Sequence, residues 1–100
     1  MLYLVSYNCS MPVDVKSRIE AALRTMPGWW HHLETTWIVA SQLNLQQVTD
    51  VIHQAAATDD KILVVDITFD SYNGWLPSKA WDWLRNENER EVRERNQTQA

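Results

Sequence analysis

The stretch MLYLVSYNCS, residues 1–10, decides the fold of this chain. Its first eight residues are rich in apolar, β-branched and aromatic types and contain no glycine or proline, which predicts a β-strand. Successive side chains of a strand point to opposite faces, so Leu4 lies on one face and Val5 on the other. Apolar residues on both faces are typical of a central strand, covered by helices on one side and by something else, such as a second subunit, on the other.

The predicted strand runs into a polar cluster, Tyr7, Asn8, Cys9 and Ser10. The end of a strand and the start of a helix are a common place for ligands, because free backbone N–H groups point outward there. Asn8 and Ser10 are equally typical of a helix cap. Cys9 has no basic neighbour in the sequence that would activate its thiol. Both interpretations therefore stay open at this point: a helix cap, or the edge of an active site.

The next segments alternate between helical and extended patterns. Apolar residues at helical spacing between Val15 and Met26 predict an amphipathic helix, which the dipeptide PG then ends. WWHHLETTWIVAS, residues 29–41, is too long for one typical strand and predicts two short strands with a bend near residues 33–35. A capping-box pattern opens a second helix over about residues 45–57.

The last third of the chain contains one strand and one helix. KILVVDIT, residues 61–68, is the strongest strand pattern in the sequence and predicts a buried, central strand. A polar loop over residues 69–75 leads to a third helix from about residue 77, and a charged segment then extends this helix into solvent or frays. We therefore expect a single domain over residues 1–86 and a charged helical extension or frayed tail over residues 87–100.

The order of the predicted elements is β, α, β, β, α, β and a C-terminal helix. This order is that of the split βαβ arrangement, and it predicts an α+β protein with a ferredoxin-like βαββαβ antiparallel sheet. Two helices should pack on one face of the sheet, which leaves the other face to be covered. The C-terminal helix is an addition to this arrangement.

Composition and charge exclude several classes of protein. Hydrophobic residues make up 45% of the chain and charged residues 22%, both ordinary for a globular protein. No apolar run approaches the roughly 20 residues that cross a bilayer, so we expect no membrane partner. A single cysteine and the lack of a basic leader favour a cytoplasmic protein. The net charge of −4 argues against strong non-specific attraction to nucleic acid.

Cations and histidines are further candidates for chemistry. Lys16, Arg18 and Arg24 lie on the first predicted helix and are candidate contacts for nucleic acid, although a solvated helix face carries the same residue types. His31 and His32 point to opposite faces of an extended segment, so they cannot bind one metal ion together. His31 stays a candidate general base. The residues alone predict no metal site.

Four segments of the chain resemble a known family: LYLVSYN, HHLETTWIV, KILVVDIT and WLPSKAWDWL. Over residues 1–86 their order and spacing are similar to those of the small SinR-like proteins, which are related to the CRISPR-associated Cas-two endonucleases and the virulence-associated VapD ribonucleases. The resemblance implies a ferredoxin-like protomer and a homodimer in which sheet faces or edge strands meet. It also implies an ancestry in metal-dependent cleavage of nucleic acid.

One residue departs from the pattern of the nuclease relatives. Their first strand ends in an aspartate, one from each subunit, that helps to bind a divalent metal at the dimer interface. The matching residue here is Asn8. A neutral amide oxygen is a much weaker ligand for Mg²⁺ or Mn²⁺ than a carboxylate, so cleavage activity does not carry over from the resemblance.

Two functions are compatible with these observations. The first is a non-catalytic, dimeric binding or interaction module with a degenerate nuclease site, which binds RNA, DNA, or a protein partner through its aromatic surface or charged C-terminal tail. The second is an endonuclease or ribonuclease that uses Mg²⁺ or Mn²⁺ at the dimer interface. Its candidate catalytic residues are Asn8, Tyr7, Ser10 and His31. The acidic net charge and Asn8 favour the first function.

Overall fold

The computed structural model describes residues 1–8, 14–56 and 60–98 of the chain. Within these ranges the backbone forms one antiparallel sheet of four strands together with three helices, so the predicted α+β class is confirmed. The elements in chain order are β1 (Leu2–Asn8), α1 (Asp14–Arg24), β2 (Gly28–Leu33), β3 (Thr36–Ala40), α2 (Leu45–Ala55), β4 (Lys61–Asp66) and α3 (Ser78–Thr98).

β1 is the strand around which the sheet is built. The strand order is β2-β3-β1-β4, and each neighbouring pair is antiparallel. Leu4 of β1 stands opposite Ile38 of β3 on one side and opposite Val65 of β4 on the other. The prediction that residues 1–8 form a central strand is therefore confirmed.

β4 lies at the edge of the sheet, and the prediction that it is buried and central was wrong. Among the described residues, β1 is its only strand partner. The side chains of Leu63 and Val65 are 60% and 39% exposed. A continuous apolar run indicates hydrophobic side chains on both faces of a strand, but it does not determine how many neighbours that strand has. The outer side of β4 is therefore an open edge of the sheet.

The larger core fills the space between the sheet and the helices α1 and α2. Odd-numbered residues of β1 point into it, and Trp37 and Tyr3 are the largest side chains that are fully buried there. α1 contributes Ile19 and Leu23, and α2 contributes Ile52. Full burial of such a side chain contributes roughly 1.5–3 kcal/mol, so this layer supplies much of the hydrophobic stabilisation.

α2 begins at the predicted capping box. The side-chain oxygen of Asn44 accepts a hydrogen bond from the backbone N–H of Gln47 at 2.9 Å, and the Gln47 side chain accepts one from the backbone N–H of Asn44 at 2.9 Å. Two donors that the first turn of a helix leaves without partners are satisfied in this way. This start fixes where α2 leaves β3 and packs on the sheet.

The second face of the sheet is covered in part by α3. Ala80 and Leu84 are buried in one cluster with Trp30 and Ile38, and the indole N–H of Trp30 donates to the carbonyl of Ala80 at 3.2 Å. The sequence predicted that one face of the sheet would need a cover but did not identify it. α3 covers the half of this face around Leu2. Helices of the same chain therefore pack on both faces of the sheet, α1 and α2 on one face and α3 on the other.

The loop between β4 and α3 carries exposed aromatic side chains. Tyr72 stacks on Trp81 of α3, with ring centroids 5.9 Å apart, and Trp75 is 98% exposed. Tyr72 also lines a cavity of about 160 Å³ between the sheet and α3, together with Leu4 and Leu84. Within the part of the chain that the structure describes, no helix is both long and apolar enough to span a bilayer.

Candidate functional site

The candidate site is an open concavity where β1 ends and β4 begins. Asn8, the last residue of β1, stands directly opposite Lys61, the first residue of β4, and Ser6 stands opposite Leu63. Directly opposed residues of an antiparallel pair project to the same face of the sheet, here the half that α3 leaves open. The concavity has a volume of about 230 Å³, and Tyr7 and Ile62 complete its lining.

The residues of this concavity present donors rather than carboxylates. Lys61 brings an ammonium group, Asn8 an amide and Ser6 a hydroxyl. Across the described ranges, no group of three His, Cys, Asp or Glu side chains is arranged to hold a metal ion. An ammonium beside the amide of Asn8 repels a divalent cation and attracts an anion. The chemistry of this donor set fits a phosphate group better than Mg²⁺ or Mn²⁺.

The side chain of Tyr7 is part of the hydrophobic core. Its side chain points into the core between the sheet and α1, where it is 4% exposed. Its hydroxyl oxygen accepts a hydrogen bond from the indole N–H of Trp37 at 3.2 Å. The phenol therefore lies on the opposite face of the sheet from Asn8, although Tyr7 is among the residues that line the concavity.

His31 is also separated from Asn8 by the sheet. Its ring stacks on Trp37, with centroids 4.0 Å apart and an interplanar angle of 15°. Its Nε2 lies 3.0 Å from the carbonyl oxygen of Glu34 and 4.0 Å from the carboxylate of Glu20. His32 contacts Trp30 in the second core instead, so the two histidines do point to opposite faces, as predicted.

The three cations of α1 do not form one patch with Asn8. α1 packs on the face of the sheet that Asn8 points away from. Lys16 and Arg24 lie on one side of α1 with Glu20 between them, whereas Arg18 lies almost opposite Glu20 at 100° per residue. Ser10, the remaining predicted catalytic residue, lies outside the described residues, and so does Cys9.

The sequence marked Asn8 as the polar end of a strand and Lys61 as one of several cations that could face a phosphate, but it did not show that the two residues are neighbours. The polar end of β1 is visible in the sequence, because a change from apolar to polar residues is a local feature. The pairing of Asn8 with Lys61 depends on the register of β1 against β4, which joins residues 53 positions apart. The position of Lys61 at the start of a predicted strand was the only local indication that it stands at a sheet end.

Comparisons of the chain with protein-family models, with curated proteins and with solved structures found no match. The resemblance to the SinR-like, Cas-two-like and VapD-like proteins therefore stays a prediction.

Proposed function

We propose that this chain is a small, non-catalytic, homodimeric binding module for nucleic acid, of the SinR-like, Cas-two-like and VapD-like type, in which the ancestral nuclease site is degenerate. The observation that carries the proposal is the position of Asn8 opposite Lys61 at the open end of the sheet. This pair offers an amide and an ammonium to a phosphate where a nuclease needs carboxylates for its metal.

A ferredoxin-like assignment is part of the proposal. It is supported by the order of the first six elements and by the antiparallel strand order β2-β3-β1-β4. A cytoplasmic location is also proposed, since the chain has a single cysteine and no internal disulfide.

The homodimer is supported by the edge of β4. The backbone N–H of Ile67 donates to the carbonyl of Leu2 at 2.9 Å, opposite the end of β4. By the alternation of an antiparallel ladder, the N–H groups of odd-numbered residues such as Val65 point to β1, and those of even-numbered residues such as Val64 point outward. An outward row of backbone groups beside exposed Leu63 is a template for a second strand.

The binding function is tested with RNA and DNA oligonucleotides, single-stranded and duplex, at several salt concentrations. The Lys61→Gln variant should weaken binding and lower the slope of log affinity against log salt by about 1, because one phosphate contact is lost. The matched control is Lys79→Gln, which removes an exposed lysine from α3 and should leave both quantities unchanged.

The degenerate site is tested by restoring the carboxylate. Wild type should not cleave RNA or DNA in Mg²⁺ or Mn²⁺, and titration calorimetry should detect no tight Mg²⁺ binding. The double variant Asn8→Asp/Lys61→Gln should gain measurable affinity for Mg²⁺. Metal-dependent cleavage by wild type that disappears in Asn8→Ala would instead establish the nuclease alternative.

A further inference from the structure

A cation and an exposed indole lie side by side where the last turn of α1 meets β2. The guanidinium carbon of Arg24 is 5.8 Å from the ring centroid of Trp29 and 5.3 Å from that of Trp37. The two indole rings are 5.5 Å apart and tilted by 46°. Trp37 is fully buried, whereas Trp29 is 43% exposed. We call Arg24 and Trp29 the Arg–Trp surface.

The guanidinium of the Arg–Trp surface has no anionic partner among the described residues. The acidic residue one turn earlier in α1 is Glu20, and its carboxylate lies 4.0 Å from Nε2 of His31. The Glu20 side chain is only 15% exposed, so it is turned toward the sheet rather than toward solvent. The N–H donors of Arg24 are thus available to an anion while the guanidinium stays beside the two indoles.

We propose that the Arg–Trp surface binds single-stranded nucleic acid, with Trp29 stacking on an unpaired base and Arg24 donating to a neighbouring phosphate. The proposal rests on the nucleic-acid-binding function proposed above and adds a second contact surface, on the other face of the sheet from Asn8. An indole stacks on any base that is unpaired, because every base has a π-face. The bases of a duplex are already stacked and paired, so this surface selects single strands.

Lys16 extends the Arg–Trp surface along α1. It lies eight residues before Arg24 on the same side of the helix, a separation of roughly 12 Å along the helix axis. A second cation at this distance reaches a phosphate further along the bound strand. Stacking on Trp29 and contact with two phosphates together account for binding by a chain whose net charge is −4.

The test separates stacking from charge by using two probes of equal length, each about ten nucleotides. One is an oligothymidylate and the other is the same backbone with abasic sites. Measured by fluorescence anisotropy, wild type should bind the oligothymidylate more tightly. Trp29→Leu should weaken binding of the oligothymidylate about tenfold and leave binding of the abasic strand unchanged. Arg24→Gln should weaken binding of both strands.

Two conservative variants and two controls complete the design. Trp29→Phe and Arg24→Lys should each retain more affinity than Trp29→Leu and Arg24→Gln, which shows that the losses do not come from misfolding. Trp75→Leu removes a fully exposed indole elsewhere, and Arg85→Gln removes a cation of α3 that pairs with Asp82. Both controls should bind like wild type.

The failure of this inference differs from the failure of the proposed function. Wild-type affinity in Trp29→Leu and Arg24→Gln, with a loss in Lys61→Gln, would overturn the Arg–Trp surface and leave the proposed function standing. Equal wild-type affinity for the oligothymidylate and the abasic strand would also overturn the stacking role of Trp29. No binding of any strand by wild type at low salt would overturn both proposals.

Discussion

The indole N–H of Trp37 donates to the hydroxyl oxygen of Tyr7 at 3.2 Å inside the core between the sheet and α1. Trp37 is fully buried, so water does not replace this acceptor. The bond gives the tyrosine at the end of β1 a structural role, on the opposite face from the amide of Asn8. It also connects the central strand to β3 by a side-chain contact beside the backbone ladder.

Tyr7→Phe should lower the free energy of unfolding by about 1–3 kcal/mol, because it leaves the buried N–H of Trp37 without this acceptor. Nucleic-acid binding should stay at the wild-type level, since the phenol does not face the candidate site. Urea unfolding followed by circular dichroism gives the first quantity, and anisotropy gives the second. Wild-type stability together with lost nucleic-acid binding would contradict the structural role of Tyr7 and place it in the binding site.

Tyr3 should make stability depend on pH in the alkaline range. Burial raises the pKa of the Tyr3 hydroxyl, and the negative charges of Asp66 and Glu91 raise it further. A pKa that is higher in the folded state gives a contribution that is fully present below the ordinary value of about 10 and is lost as the pH rises through the raised value. The hydroxyl also donates to the Leu43 carbonyl at 2.7 Å, which a phenolate cannot do.

The matched variant for this pH dependence is Tyr3→Phe. At pH 8 it should be less stable than wild type by about 1 kcal/mol, because one hydrogen bond is lost. The difference should shrink as the pH is raised beyond about 10. Urea unfolding of both proteins, at intervals from pH 8 up to the highest pH at which they stay folded, measures this difference in the free energy of unfolding. A difference that stays constant over this range would mean that Tyr3 does not titrate with folding.

Proline substitutions distinguish the two sides of β4. Val64→Pro removes an outward N–H and should convert a dimer, whose mass is about twice 11.7 kDa, to a monomer in light scattering. The fold should persist, because the hydrogen bonds from β4 to β1 are kept. Val65→Pro removes an N–H that points to β1 and should destabilise the sheet itself. A wild type that is monomeric at high concentration would exclude the dimer.

Leu84→Ala should loosen α3 from the sheet. Leu84 is 3% exposed and lines the cavity of about 160 Å³, so its truncation enlarges an existing cavity and should cost about 2–4 kcal/mol. Hydrogen exchange of α3 amides should accelerate more than exchange in β1. Val92→Ala, on an exposed position of the same helix, serves as the control and should change stability by less than about 0.5 kcal/mol.

Local features of this chain were predictable, whereas most pairings between distant residues were not. The capping box at Asn44 involves only residues 44–47, so the start of α2 could be located from the sequence. The apolar stripe that includes Leu84 was equally visible, but the sequence does not specify which surface that stripe meets. Val65 gives the same contrast: its β-branched side chain predicts a strand correctly, and its exposure follows from the number of neighbouring strands.

In the candidate site, too, single positions could be predicted from the sequence and pairings of distant residues could not. Asn8 was located from the polar end of β1, and the resemblance gave that position its meaning. The partnership of Asn8 with Lys61, and that of Arg24 with Trp29, requires a sheet register and a helix–strand packing that the sequence does not state. His31 and Tyr7 were chosen for their chemistry, and the sequence does not show that both side chains contact Trp37, on the opposite face of the sheet from Asn8.

The position of β1 in the sheet also has a consequence for how the chain folds. β1 precedes both of its partner strands in the chain, since Leu2 is paired with Ala40 of β3 and its carbonyl accepts a hydrogen bond from the N–H of Ile67 just after β4. Contacts between such distant residues impose a loop-closure cost before any stabilisation is gained, which slows folding. During synthesis β1 has neither partner until β3 has emerged, so its apolar side chains stay unpaired over the time in which the residues between the two strands are added.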